Sequence, residues 1–307
     1  MDSDEKIPES NLSVIYEKED TDNQTVRVTN YDTLVLSGGA VKGLILLGAL
    51  QCALDKYILN NIQTYVGTSI GAIIGYLLAI GYTPIEIMVY ICTHKLVERM
   101  QYFNIVGITK GEGVASFRPI QETLEQMTLD KIGRFITLKD LHEQYGKTLI
   151  CSTYNMTQQK QEYLSYHNIP ELPCLIALRM TANVPFLFDK FKYMGNFYID
   201  GAVSDNFPVA IAEKVGTKIL GIRLYKEKSS YAPEEEIGVL EYIFKVLNIP
   251  IDQASSYKCS LVDSEKCTIV KIPENDPKMF DFNIKSKVKL DLFSKGYQYF
   301  GNCVVEE

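Results

Sequence analysis

Short apolar runs alternate along this chain with longer segments whose apolar residues recur at helical spacing. The run Thr33–Leu36 precedes a helical stretch from about Lys42 to Tyr57, and Tyr65–Thr68 precedes a second, strongly apolar helix. Strands that alternate with helices predict an α/β fold, a layered domain with a central, largely parallel sheet flanked by helices. The remaining predicted strands are Thr148–Thr153, Gln161–Ser165, Phe197–Ile199, Lys218–Leu224 and Thr268–Ile272.

Further helices are predicted where polar and apolar residues fall on opposite faces. One extends from Pro84 to about Met100 and one from Pro170 to Ala182. A third, Gly238–Asn248, carries Ile243, Phe244 and Leu247 on one face, which predicts core packing or, as the alternative, a face that touches membrane. A glycine-dotted segment, 104–113, predicts a loop.

The first 30 residues differ in composition from the rest of the chain. They hold eight acidic and three basic residues and few apolar ones, which predicts a disordered acidic tail over 1–30 and a single domain over 31–300, with its core motifs within 34–210. No basic stretch with an apolar core opens the chain, so no signal peptide is expected.

Charge and cysteine content limit the class of protein. A net charge of −7 makes nucleic acid an unexpected partner. The seven cysteines are scattered and form no CxxC pair, which predicts neither a disulfide framework nor a structural metal site, and favours a cytoplasmic, reducing location. Residues 66–91 are mostly apolar, but Gly67, Gly75 and Pro84 are among the residues that interrupt them, so no transmembrane span is predicted.

The most informative motif is Gly67-Thr68-Ser69-Ile70-Gly71, because it lies between a predicted strand and a predicted helix. In that context Gly-x-Ser-x-Gly predicts a nucleophile elbow, in which a tight turn presents the serine hydroxyl at a helix N-terminus. The simpler alternative is a serine that caps the helix.

A glycine-rich turn at Ser37-Gly38-Gly39-Ala40-Val41-Lys42-Gly43 also follows a predicted strand. Its backbone N–H groups could bind a phosphate or an oxyanion. A P-loop requires Ser or Thr after the lysine, where Gly43 stands, and a dinucleotide site would place glycine at Ala40. These departures leave an oxyanion hole as the favoured interpretation and a nucleotide site as a weak alternative.

A nucleophilic serine requires a base within hydrogen-bond reach. The histidines His94, His142 and His167 all precede Asp200, whereas the α/β-hydrolase triad runs serine, acid, histidine. The motif Asp200-Gly201-Ala202 follows a predicted strand, so a Ser69–Asp200 dyad is the remaining arrangement. An ordinary Asp-Gly turn is the alternative.

Taken in order, the three motifs resemble those of the patatin-like phospholipase family, namely Gly-Gly-Gly-x-Lys/Arg-Gly, Gly-x-Ser-x-Gly and Asp-Gly-Gly/Ala. Two further segments, 181–188 and 200–209, resemble that family's sequence around the aspartate, and the similarity spans about Tyr31 to Lys214.

This resemblance implies lipid acyl-ester hydrolysis of the phospholipase A type, with Ser69 as nucleophile and Asp200 as base. It implies an oxyanion hole from the backbone of Gly38, Gly39 and Ala40, no cofactor, no metal and no calcium requirement. Lipid or phospholipid is the expected substrate, with transient contact to a membrane surface. The supporting motif residues are Lys42, Gly43, Gly67, Gly71, Gly201 and Ala202.

One position departs from the family pattern. Ala40 stands where the family has its third glycine, and a Cβ there is tolerated unless the backbone requires a positive φ. A catalytically weak relative that binds lipid or a partner therefore stays as the alternative function. Lys42 is either a solvated lysine or a positioning group. Lys285, Lys287, Lys289 and Lys295 are expected on a solvated helix face, with contact to anionic headgroups as the alternative.

Overall fold

The computed structural model describes residues 25–27, 29–96, 98–100, 113–226, 239–274 and 284–305. The strands are β1 Val26–Arg27, β2 Thr33–Leu36, β3 Thr64–Thr68, β4 Thr148–Asn155, β5 Lys160–Leu164, β6 Phe191–Tyr193, β7 Asn196–Asp200, β8 Ile219–Tyr225, β9 Cys267–Pro273 and β10 Val304–Val305. The α-helices are α1 Gly43–Asp55, α2 Ile70–Ala79, α3 Pro84–Thr93, α4 Arg118–Ile132, α5 Leu138–Tyr145, α6 Cys174–Thr181, α7 Ala202–Asp205, α8 Val209–Val215, α9 Val239–Ser260 and α10 Ser286–Cys303.

An eight-stranded sheet forms the centre of the molecule. Its order is β6-β7-β4-β3-β2-β8-β9, and β5 also pairs with β4. The strands from β4 to β9 along this order are parallel, whereas β5, β6 and β7 pair antiparallel at one side. All four residues of β2 are buried, as expected for a strand covered by helices on both faces. The predicted α/β fold with a largely parallel sheet is confirmed.

Several helix boundaries differ from those predicted. The segment after Pro84 divides into α3 and a separate 3₁₀ turn, Glu98–Met100. The helix expected from Pro170 begins only at Cys174, because Pro173 in its extended conformation is the residue that precedes the first turn. Helix α9 continues through Pro250 to Ser260. Near its end, the Ser256 hydroxyl accepts a hydrogen bond from the Arg223 guanidinium at 3.0 Å. In α9, Phe244 is buried and Leu247 packs against the core, as the core-packing prediction expects.

The two ends of the described chain meet. Val26 and Arg27 pair in parallel with Val304 and Val305, and Val26 is completely buried. Residues 1–24, most of the predicted acidic tail, lie outside the described residues, as does most of the predicted loop 104–113. The domain therefore reaches slightly beyond both predicted bounds, 31 and 300, since a buried valine and a strand pair belong to it.

Helix α10 packs closely on α1, the helix that follows the glycine-rich turn. Gly48 of α1 and Gly296 of α10 each face the backbone of the other helix, and a Cβ at either position would collide with it. Lys289 of α10 is fully buried, and its Nζ lies 2.8 Å from both carboxylate oxygens of Glu98. The prediction that Lys289 is solvated is therefore wrong, although Lys285 and Lys287 are exposed.

The helices of the described residues are short or polar relative to a membrane-spanning helix. Taken singly, none of these helices is both long and apolar enough to cross a membrane. Only α2 and α3 counted together reach that length and composition, and they are bent by 116°.

Candidate active site

Ser69 occupies a strained turn between β3 and α2. Its backbone has φ 55° and ψ −124°, a conformation that costs a residue with a Cβ on the order of 1–3 kcal/mol. The backbone N–H of Ser69 donates to the Thr181 hydroxyl at 3.0 Å. The side chain stays 7 % exposed. This is the geometry that the elbow motif predicts, with the hydroxyl at the positive end of a helix.

The two glycines of this motif allow neighbouring backbone segments to approach each other closely. The first turn of α2 lies so near the end of β2 that a Cβ at Gly71 would lie 2.5 Å from the Leu36 carbonyl oxygen. A Cβ at Gly67 would lie 2.5 Å from the Ala72 nitrogen. Neither glycine has a positive φ, so the strain of the turn falls on the serine itself.

Asp200 reaches Ser69 across the intervening strand β4. Thr68 is paired with Ser152 on β4, and Thr153, the next residue, is paired with Asp200 on β7. The Ser69 side chain lies beside the Asp200 carboxyl group, close enough to lower the pKa of that group. A Cβ at Gly201 would lie 2.2 Å from the Ser152 carbonyl oxygen, so glycine is required where β7 ends against β4.

The Asp200 carboxyl group is buried, with 2 % of the residue exposed. Burial raises its pKa to about 6, although the nearby Ser69 side chain and the hydrogen bond from the Ala202 backbone N–H oppose that rise. The Ala202 N–H donates to Oδ1 at 2.8 Å. The carboxylate is thus more basic than a solvated aspartate and ionised near neutral pH.

Two residues that sequence reasoning did not assign to the site hold it together. The Thr181 hydroxyl accepts from the Ser69 N–H and donates to the Ser152 carbonyl oxygen at 2.5 Å. The Asn183 carbonyl oxygen accepts from the Asp200 N–H at 2.9 Å. Both lie in the segment 181–188, whose resemblance to the family was the available signal.

The glycine-rich turn lies beside Ser69, at the end of the neighbouring strand β2. The Gly38 N–H donates to the Asn206 carbonyl oxygen at 3.1 Å, so this donor is already occupied. Among the residues that the structure describes, no acceptor is recorded for the N–H groups of Gly39 and Ala40. The N–H groups of Gly39 and Ala40 are thus available as oxyanion donors, whereas the Gly38 N–H is hydrogen-bonded to Asn206.

Ala40 adopts a left-handed backbone conformation with φ 48°. Gly39 has φ 170°, which is extended backbone open to any residue. A glycine at this position, as in the family pattern, would avoid the steric strain of the left-handed conformation. This chain has a Cβ there, at a cost of roughly 1–2 kcal/mol for an L-residue.

Lys42 is buried at the end of this turn and forms an ion pair with Glu274, which follows β9. Its backbone N–H donates to the Gly39 carbonyl oxygen at 3.0 Å. Burial raises the pKa of Glu274, an effect that the positive charge of Lys42 opposes. Of the two predicted alternatives, the positioning group fits and the solvated lysine does not. Gly43 faces Ile70 of α2, where a Cβ would lie 2.3 Å from Cγ1.

Ser69 lines an apolar pocket of about 980 Å³, a volume that includes open solvent. Aliphatic side chains of α1, α2, α3 and α4 form most of its wall. Ser69 and Thr123 are the residues with polar side chains in a lining that is otherwise apolar in the described residues. An extended hydrocarbon chain is the ligand that such a lining favours.

The three histidines take no part in the described site. His94 stacks on Tyr90 and His142 stacks on Tyr166, each pair with ring centroids 3.8 Å apart. His167 packs against the other side of Tyr166, at 3.9 Å.

Comparison with known proteins identifies the family of this chain. A model of patatin-like phospholipases matches residues 34–213. The chain is 35 % identical over 269 residues to a protein of Invertebrate iridescent virus 6 named probable lipid hydrolase 463L, and this match covers 87 % of this chain and 86 % of the viral protein. The chain belongs to the patatin-like phospholipase family.

The similarities to other proteins are more distant. An uncharacterized protein of Acanthamoeba polyphaga mimivirus, R571, is 28 % identical over 273 residues, which cover 86 % of this chain and 90 % of that protein. The crystal structure of VipD from Legionella pneumophila aligns with a TM-score of 0.53 at 16 % identity, over 90 % of this chain and 67 % of that one.

Full-length ExoU of the Pseudomonas aeruginosa type III secretion system, solved in complex with SpcU, aligns with a TM-score of 0.52 at 15 % identity. The alignment covers 89 % of this chain and about half (52 %) of that one. At such identities these two structures support the fold alone.

Proposed function

We propose that this protein is a serine lipid acyl hydrolase of the phospholipase A type, with Ser69 as nucleophile and Asp200 as general base. The observation that carries the proposal is the placement of the Ser69 side chain beside a buried Asp200 carboxyl group, in the wall of an apolar pocket that Ser69 lines. The elevated pKa of Asp200 supports the role of base, because it brings the basicity of the carboxylate closer to neutral pH.

The reaction would proceed in two halves. Asp200 takes the Ser69 proton as Oγ attacks the ester carbonyl, and the N–H groups of Gly39 and Ala40 stabilise the resulting oxyanion. The tetrahedral intermediate collapses, the C–O bond to the alcohol breaks, and Asp200 returns the proton to the leaving lysolipid or alcohol. Asp200 then deprotonates a water that attacks the acyl-enzyme, and the released Ser69 regains its proton while the fatty acid leaves. No metal or other cofactor enters this sequence.

The test is ester hydrolysis by the wild type, Ser69→Ala and Asp200→Asn, with chelator present throughout. The substrates are a short-chain nitrophenyl ester and phosphatidylcholine vesicles. We expect each substitution to lower kcat at least about 10²-fold, as loss of a nucleophile or a general base does. Wild-type activity equal to that of Ser69→Ala on both substrates would refute the proposal.

Contact with a membrane surface is the second part of the proposal. Phe186 is 43 % exposed, with a left-handed backbone (φ 66°), and lies between Val184 and Leu187, which line the pocket. We expect Phe186→Ser to lower activity on vesicles severalfold and to change nitrophenyl-ester activity much less. Phe135→Ser is the matched control, since Phe135 is 54 % exposed on a segment that does not line the pocket. Equal effects of both variants on vesicle activity would contradict this part.

A catalytically weak lipid-binding relative is the second candidate function, and the left-handed Ala40 favours it. A strained turn would misplace one oxyanion donor, at a cost of about 10²–10³ in rate. In that case the folded wild type would be nearly as inactive as the two site variants, and Ala40→Gly would restore activity.

An intracellular location completes the proposal and is tested by fractionation of cells that express the full chain.

A further inference from the structure

The wall of the pocket contains one hydroxyl group that the proposed reaction does not use. Thr123 lies on α4, is 5 % exposed, and lines the pocket together with Ile120, Leu124 and Met127 of the same helix. Among the described residues its Oγ1 has no hydrogen-bond partner. A buried hydroxyl without a partner costs on the order of 1–3 kcal/mol.

Thr128, five residues further along α4, shows the ordinary arrangement. Its hydroxyl donates to the Leu124 carbonyl oxygen at 2.7 Å and lies 3.0 Å from the Tyr76 hydroxyl. Both groups are therefore satisfied within the protein. Thr123 makes no such contact with the preceding turn, although a threonine in a helix has rotamers that allow it.

The position of Thr123 along the pocket wall follows from the residues of α4 that line it. Ile120 and Met127 are the first and last of these residues, and they lie about 10 Å apart along the helix. Thr123 lies near the middle of this stretch. It thus borders the middle of the wall that α4 contributes to the pocket.

We propose that Thr123 makes this pocket selective for acyl chains that carry an oxygen substituent, such as a hydroxyl, near the middle of the chain. Such an oxygen would supply the hydrogen-bond partner that Thr123 lacks, and the aliphatic wall would hold the rest of the chain. The Oγ1 atom is closed to water in the structure, so the contact requires a rotation of about 120° about χ1 to another staggered rotamer, which turns Oγ1 towards the pocket. The inference rests on the proposed function, because it assumes that an acyl chain enters this pocket.

The first experiment measures kcat/KM for nitrophenyl dodecanoate and for a series of hydroxydodecanoates with the hydroxyl moved along the chain. For the wild type we expect a mid-chain hydroxyl to be favoured about tenfold over its neighbours at either end, the size of one neutral hydrogen bond. Thr123→Val, which keeps the shape, should remove that preference. Thr128→Val is the control and should keep the wild-type preference. A wild type without a mid-chain preference, or a preference that survives in Thr123→Val, overturns the inference.

A binding experiment separates this inference from the proposed function. Ser69→Ala, with and without Thr123→Val, is titrated with dodecanoic acid and with its mid-chain hydroxy derivative. We expect the hydroxy acid to bind about tenfold more tightly only when Thr123 is present. If no ester is hydrolysed but this preference is seen, the proposed reaction fails and the inference stands. If esters are hydrolysed and the two acids bind alike with Thr123 present, the inference fails and the reaction stands.

Discussion

Asp200→Asn should stabilise the protein while it abolishes the activity. Burial raises the pKa of Asp200 from 3.8 to about 6. The folded state therefore binds a proton more tightly than the unfolded chain does. The stability that this group contributes is fully present below pH 3.8 and is lost as the pH rises through 6. At pH 7 and above, a shift of about two pKa units lowers the free energy of unfolding by about 3 kcal/mol.

Asparagine removes this penalty without changing the shape of the side chain. Its Oδ1 can still accept from the Ala202 N–H, and its Nδ2 can donate to the Ser69 hydroxyl. We expect Asp200→Asn to match the wild type near pH 4 and to exceed it by about 3 kcal/mol near pH 7.5. The assay is urea unfolding at several pH values, with the difference in free energy of unfolding between the two proteins taken at each.

Asp205→Asn is the matched control, because Asp205 is equally buried but its carboxylate is paired. Its Oδ1 lies 2.8 Å from the Lys258 Nζ and its Oδ2 accepts from the Tyr163 hydroxyl at 2.5 Å. Loss of these charge-assisted contacts should cost about 1–3 kcal/mol at pH 7.5. A difference between Asp200→Asn and the wild type that does not grow with pH, or a less stable Asp200→Asn at pH 7.5, would refute the reasoning.

Three further outcomes are expected. The kcat/KM of the wild type should rise with pH and level off above about 6, because Asp200 must be ionised to act as a base, and a flat profile from pH 5 to 8 would contradict this. Ala40→Gly should raise the free energy of unfolding by about 0.5–1 kcal/mol, since relief of the left-handed strain exceeds the entropy cost of glycine, and a loss measured in urea would count against that strain. Glu98→Gln should lower the free energy of unfolding by about 3 kcal/mol, because it leaves the buried Lys289 charge unpaired. Lys289→Met should change that free energy by less than about 1 kcal/mol. Equal losses for the two variants in urea unfolding would show that the unpaired charge is not the cause.

The parallel sheet and the elbow could be predicted because they follow from local patterns. The central strands are short apolar runs, and Gly-x-Ser-x-Gly between a strand and a helix specifies the turn by itself. Ser69 and Asp200 could be paired because few candidate bases remained. Their contact across β4 depends on strand register, which the antiparallel return of β7 sets and which no local motif encodes.

The partners of the lysines could not be predicted, because both depend on distant packing. Lys42 pairs with Glu274, more than 200 residues away in the chain, and Lys289 reaches Glu98 only because α10 packs on α1. A lysine on an amphipathic helix is solvated far more often than it is buried, so sequence alone favours the wrong environment for Lys289. Burial of these charges requires tertiary contacts that hydrophobic periodicity does not report.

Several energetically unfavourable features of this fold lie at its active-site edge. Ser69 and Ala40 both have positive φ, Asp200 is ionised in a buried position, and Thr123 has an unpaired hydroxyl in the adjoining pocket wall. Each costs about 1–3 kcal/mol, and the surrounding sheet has to supply the stability that sustains them. Positions that no ligand needs are expected to lose such strain by substitution, since most proteins are only marginally stable. The strain at Ser69 and Ala40 therefore supports a function that requires this geometry. Ala40, where glycine would relieve strain without changing Ser69, is the residue that decides between an efficient hydrolase and a weak one.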